Sequence, residues 1–229
     1  MALSINPNSQ SISILDRLAT EREEKDEKLA SAKRINSAAD DAAGLQIAER
    51  LTSQVNEYQQ RSVNAQDQVN INNVQTGQLS SISEGLQRAN VLSIQSGNPL
   101  SDPSAIQGEL DQITEQINTV AGEVLGDSNF LSGLDANDPV ATQDALETAL
   151  GTINENAAAL GANSNALESQ VSTYETSRVN VSESRSRIED TDYAKTTAEK
   201  EQLSSLIQAT IINKKDEEAR KGLLVNQLV

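Results

Sequence analysis

The sequence predicts an all-α chain: an elongated antiparallel helical bundle or coiled-coil rod, with its N- and C-terminal helices paired and at most a short irregular or hairpin turn near residues 128–139. Three observations carry this. Read in steps of four and three, residues 146–188 give Leu146, Leu150, Ile153, Ala157, Leu160, Ser164, Leu167, Val171, Tyr174, Arg178, Val181, Arg185 and Ile188. Ten of these thirteen are apolar, against roughly five expected from a chain that is 36% hydrophobic. No proline interrupts the register, and at about 1.5 Å per residue the helix is roughly 60 Å long. With one Phe, three Tyr and no Trp among 229 residues, the chain lacks the side chains for a thick globular core, so thin helix-on-helix packing suits it.

Composition also narrows the chemistry. The chain has no Cys and no His, which removes thiol nucleophiles, disulfides, most zinc sites and the usual general base. Catalysis is not expected, and neither is a cofactor or a metal. A net charge of −16, from 34 acidic and 18 basic residues, disfavours nonspecific binding to nucleic acid or to an anionic membrane. No apolar run approaches the roughly 18 residues that cross a bilayer, and Met1 to Asn8 has neither a basic start nor an apolar signal-peptide core.

In chain order, a first helix carries Ile12, Leu15, Leu18 and, after a gap, Leu29. The gap, Glu21 to Lys28, alternates charges and reads as a solvated face laced with i,i+4 pairs. Alone such a helix is marginal, and it needs a partner from elsewhere. Asp40 and Asp41 then stand before Ala42-Ala43-Gly44-Leu45 as capping and dipole-matching residues. The competing reading, a paired-carboxylate site, is weak because adjacent residues at a helix start point apart.

A second long helix, about 42–97, has seam positions Ala48, Leu51, Val55, Tyr58, Ala65, Val69, Leu79, Ile82, Leu86 and Ala89, with Ser62, Asn72 and Thr76 between them and one slip after Leu79. Gly97-Asn98-Pro99 ends it. Its length matches that of the 146–188 helix with its flanks, which suggests lateral antiparallel packing. Asp102-Pro103, a cap followed by proline at the first helical position, starts a third helix over about 103–125 through Ile106, Leu110, Ile113, Ile117, Val120 and Val124. Gly126 stops it. Phe130 is expected to plug the bundle end, and Asp138-Pro139 repeats the cap for a helix over about 139–190.

Glu189, Asp190 and Asp192 follow as three close carboxylates, readable as a cation site or, more simply, as ion-pairing and solvated groups. The last helix carries Leu203, Leu206, Ile207, Ile211 and Ile212, a charged block from Lys214 to Lys221, and a final apolar turn, Leu223 to Val229. It can lie antiparallel to residues 11–31. Each then offers the other only a partial apolar stripe, so the pair is expected to become stable when neighbouring copies cover it.

Two motifs bring a family into view. Arg34-Ile35-Asn36-Ser37-Ala38 followed by Asp40-Asp41-Ala42-Ala43-Gly44 resembles the signature near the start of bacterial flagellins, and Ser186-Arg187-Ile188-Glu189-Asp190 with Asp192-Tyr193-Ala194 resembles their C-terminal signature. Asn64-Ala65 with Asp67, and Leu86-Gln87-Arg88 with Leu92 to Gln95, are similar to the first long flagellin helix. The resemblance implies a filament subunit. Residues 1–40 and 193–229 would form the N- and C-terminal parts of the inner filament core, and 41–192 the helical rod. Polar residues such as Asn72, Asn73, Gln75 and Gln78 would face other subunits.

Flagellins usually insert variable outer domains before the C-terminal rod helix; here only Ser128 to Pro139 fills that place. The implied partners are further copies of the chain, a flagellar export chaperone on residues 196–229, hook-associated proteins and sister flagellins. The implied location is the extracellular flagellum, reached without a cleaved signal peptide. The sequence departs from the family in the charge of Glu21 to Lys28, and in Ala32-Lys33 where Gly-Leu is usual. Ala32-Lys33-Arg34-Ile35 leans towards hook-filament junction proteins, whereas Ser186 to Tyr193 favours flagellin. A junction protein, or a secreted homologue that binds or adheres without polymerising, is the alternative reading. Arg88, Leu92 and Glu109 also match a patch recognised by an animal innate receptor, but Asn90 and Val91 replace its second arginine and following glutamate, so recognition should be weakened.

Overall fold

The computed structural model describes residues 7–226, and side chains from 12 to 220. The final apolar turn expected at 223–229 therefore lies outside the described side chains. Five helices make up the described chain: α1 (Pro7–Ser31), α2 (Ala38–Ser96), α3 (Pro103–Val124), α4 (Pro139–Glu189) and α5 (Tyr193–Asn226). The only strand-like pairing among the described residues is one isolated bridge. The all-α expectation holds, and the two terminal helices, α1 and α5, pack together.

Local sequence sets the helix ends. Asp41 is extended (φ −165°, ψ 95°), so regular helix begins after it, and its Oδ1 accepts from the Gly44 N–H at 2.8 Å. Asp102 does the same for α3, accepting from the Ser104 N–H at 3.0 Å with Pro103 at the first helical position. Asp138 caps α4 through the Ala141 N–H at 3.1 Å. At the far end of α3, Gly126 takes φ +72°, a left-handed turn that costs glycine nothing.

The chain divides into two compact units: residues 57–177, and residues 1–56 with 178–229. Helices α2 and α4 contribute to both. The 57–177 unit holds the apolar core: Leu79, Ile82, Leu86 and Ala89 of α2, five buried residues of α3 from Ile106 to Ala121, and Leu146, Ala149 and Ile153 of α4. Phe130 is half-buried and packs against this cluster. All thirteen heptad positions of α4 are buried or half-buried, as the register requires. Away from α3 the α2–α4 seam is thinner and partly polar. Asn72 is 1% exposed and donates to Ser164 Oγ at 3.2 Å, and Tyr58 and Tyr174 stack with centroids 6.3 Å apart.

Asn72 occupies the seam position its period gives it and corrects the expectation that it faces other subunits. It faces α4 inside its own chain, with its amide satisfied by Ser164 and Gln68, because a buried amide without partners would cost a few kcal/mol. Gln78 likewise donates to Glu123 at 3.2 Å, and Gln75 is half-buried. Of the four polar residues expected to face other subunits, Asn73 alone is exposed.

Burial predicts a contrast within α2. Leu86 is fully buried, and Leu86→Ala should destabilise the chain by about 2–5 kcal/mol. Val74 is 64% exposed, and Val74→Ala should change stability by no more than about 0.5 kcal/mol. Denaturant unfolding of both variants checks it.

Candidate functional site

The two signature motifs, about 150 residues apart in sequence, meet in the unit formed by residues 1–56 and 178–229. The segment leaving α1 pairs with the segment leaving α4 as a short antiparallel bridge, Lys33 opposite Asp190. The N–H groups of Arg34 and Ile35 both donate to the Glu189 carbonyl, at 2.6 and 3.4 Å, and the Thr191 N–H donates to Ala32 O at 3.0 Å. Backbone groups at two helix ends, which would otherwise need water or a cap, are thus satisfied by one another.

Side chains lock this joint. The Glu189 side chain is only 11% exposed, and its two oxygens face Lys33 Nζ at 2.5 Å and Arg185 Nε at 3.8 Å. A carboxylate that buried requires such cations to offset its lost hydration. The Arg34 guanidinium donates to Ile188 O, and Tyr193 OH donates to Leu29 O at 2.8 Å. Asp192 caps α5 by accepting from the Lys195 N–H at 3.1 Å, the same device Asp41 uses on α2. Ile35 is 1% exposed and lies over the first turn of α2, where a Cβ on Gly44 would sit 2.6 Å from its Cδ1. Glycine at 44 is what lets Ile35 seat there.

Asp40 organises the loop before α2. Its Oδ2 accepts from the N–H groups of Asn36 (3.1 Å) and Ser37 (2.9 Å) and from Ser37 Oγ (3.2 Å), and Lys28 lies 3.7 Å from Oδ1. The backbone donors of Ser37 and Asn36, aided by the Ser37 hydroxyl and the Lys28 charge, hold the Asp40 carboxyl below its ordinary pKa. Asp40 and Asp41 therefore serve separate backbone groups. Asp190 takes the Ser186 hydroxyl, so the three carboxylates at 189, 190 and 192 are likewise separately engaged.

Some signature residues stay apart from the joint, among them Arg187 and Ala38. Arg187 is exposed and pairs with Glu183 one turn back, and Ala38 is exposed with nothing in the structure to explain its presence. Conversely, Ala32, Lys33 and Thr191 belong to the joint, and so does a set of pairs between α1 and α5. Lys25 Nζ meets Glu199 Oε2 at 2.6 Å, and Lys200 Nζ meets Asp26 Oδ1 at 2.6 Å. The Lys25 ammonium holds the Glu199 carboxyl below its ordinary pKa by hydrogen bond and charge. The charged block of α1 thus adds contacts to α5 to the i,i+4 pairs Arg17–Glu21 and Arg22–Asp26. Matching opposite charges at 25 and 26 against 199 and 200 was the available signal.

A family model described as the bacterial flagellin N-terminal helical region matches residues 5–136, and one described as the bacterial flagellin C-terminal helical region matches residues 143–213. The chain belongs to the bacterial flagellin family. It is 30% identical over 226 residues to a flagellin of Halalkalibacterium halodurans, a match covering 80% of this chain and 83% of that protein. It is 44% identical over 98 residues to a flagellin of Clostridium tyrobutyricum, covering 42% of this chain. It is 40% identical over 129 residues to the phase 1 flagellin of Salmonella naestved, covering 54%. The matched part is 26% of the length of each of these last two relatives.

In this flagellin, the positions that resemble the innate-receptor patch lie on α2 and α3. Arg88 is paired with Glu109, Leu92 is 9% exposed within the core cluster, Asn90 is half-buried, and Val91 is exposed.

Two outcomes follow from the joint. Ala32 sits at φ +60°, where a Cβ costs roughly 1–2 kcal/mol, so Ala32→Gly should raise the unfolding free energy by about 1 kcal/mol. A carboxylate with a lowered folded pKa contributes fully above its unfolded value, near 3.9, and loses that contribution as pH falls through the folded value. Asp40→Asn should therefore be less stable than the parent from about pH 5 to 8 and converge with it below about pH 4, measured by thermal unfolding at each pH.

Proposed function

We propose that this chain is a structural subunit that self-assembles into the bacterial flagellar filament. The observation that carries the reading is the state of the terminal helix pair. On α1 the one buried apolar side chain among those described is Leu18, while Ile12 and Ile14 are 43% and 41% exposed. On α5 no described apolar side chain is buried, and Leu206, Ile211 and Ile212 are 53%, 41% and 59% exposed. Two helices that leave this much apolar surface in water gain stability when further copies cover it. Family membership supports an arrangement with residues 1–40 and 193–229 as the inner filament core and 41–192 as the rod around it.

The mechanism is geometric rather than chemical. Stiff helical seams transmit torque, and burial between copies offsets the entropy of ordering the terminal helices. Export to the extracellular flagellum without a cleaved signal peptide, with a chaperone on residues 196–229 and hook-associated proteins as neighbours, completes the proposal. The open face of α5 lined by Ala198, Glu201, Gln202, Ser205, Leu206 and Ala209, with Leu206 exposed, supports a partner there before assembly.

Shearing filaments from the source cells and quantifying this chain by mass spectrometry tests the reading, together with imaging of a deletion strain. A major filament component whose loss shortens or abolishes filaments is expected. Secretion of the chain with none in sheared filaments would overturn it.

A further inference from the structure

The connection from α3 to α4 is short, and its backbone is bonded to side chains instead of to a strand. Asn118 Nδ2 donates to Leu131 O at 2.8 Å, while its Oδ1 accepts from the Leu131 N–H at 2.7 Å. Eleven residues earlier on α3, Gln107 Nε2 donates to Leu134 O at 3.0 Å and its Oε1 accepts from the Ala136 N–H at 2.8 Å. Thr142 on α4 holds the residue between, accepting from the Asp135 N–H at 2.9 Å and donating to Asp135 O at 3.0 Å. Gly122 admits the start of the segment, since a Cβ there would lie 2.8 Å from Ser128 Oγ. Residues 128, 131 and 134–136 thus run antiparallel along positions 122, 118 and 107 of α3.

Gly133, at φ +77°, turns the segment between the two amides. Between the two amides the chain buries Leu131, Leu134 and Ala136 in the apolar core and leaves Ser132 and Gly133 outside. At neutral pH a side-chain amide offers a donor and an acceptor at fixed spacing, as a neighbouring strand does. Of the four amide side chains on α3, Gln107 and Asn118 hold this segment, and Glu109, Asp111, Glu115 and Glu123 could not take the role ionised.

We infer that residues 128–136 form a latch and that Asn118 and Gln107 are its two clamps. Closed, the latch seals the core of the 57–177 unit with its own leucines. Opening a clamp withdraws the leucine beside it and exposes the apolar cluster. The device belongs to the single chain and is independent of whether that chain polymerises.

Asn118→Asp in the full chain tests it, because a carboxylate keeps the acceptor and loses the donor. At neutral pH the Leu131 amide should exchange at least about tenfold faster than in the parent, as two acceptors then face each other. Below about pH 4 the protonated acid regains a donor, and the difference from the parent at the same pH should close. Asn118→Leu should exchange fast at both pH values, and Gln107→Glu should repeat the pH-dependent pattern at Ala136. Parent-like exchange at Leu131 in Asn118→Asp at neutral pH, or an acceleration that persists unchanged in acid, would overturn the latch.

Discussion

The unit formed by the two chain ends depends on a backbone contact of four residues, 32–35, against three, 189–191. These are places where helices stop, and a stopped helix exposes amides and carbonyls that must find partners. Here each end supplies the other's. The Glu189 carbonyl receives two N–H groups while its carboxylate is held by Lys33 and Arg185, so one residue serves the joint through both backbone and side chain. Because α1 enters the joint and α5 leaves it, the joint also brings the two terminal helices together, and Tyr193 bonded to Leu29 O ties the first residue of α5 to the last turn of α1.

Stability is distributed unevenly along the chain. The 57–177 unit buries leucines and isoleucines from three helices and the latch, each contributing about 1.5–3 kcal/mol when taken from water. The α1–α5 pair is held by partly exposed ion pairs, each giving no more than about 1 kcal/mol. A subunit that completes itself only against its neighbours needs such a division. One part must be ordered before assembly, and the other must have apolar surface still to bury.

Much of this was legible in the sequence, because helices announce themselves through period, caps and breakers. The heptads of α4 all turned inward, and Asp102-Pro103 and Asp138-Pro139 marked helix starts through a physical mechanism. The signature residues pointed to a family, yet not to one another, since nothing local tells Arg34 that Glu189 will accept its N–H. Ala32 illustrates the same limit: its left-handed backbone is set by the need to turn into the joint, and its side chain gives no hint of that. Asn72 fell on the seam by period and on the subunit-facing side by polarity, and the seam reading holds because Ser164 on α4 answers it. Gln107 and Asn118 were equally silent, since an amide on a helix becomes a clamp only when a distant segment brings its own N–H and C=O to it.

Residue-resolved amide exchange, compared between monomer and assembled polymer, tests this division most directly. In the monomer, residues 79–92, 106–121 and 146–153 should be strongly protected and residues 12–31 and 193–220 weakly so, with the latter gaining protection on assembly. Terminal helices protected in the monomer as strongly as that core, or unchanged on assembly, would contradict the account.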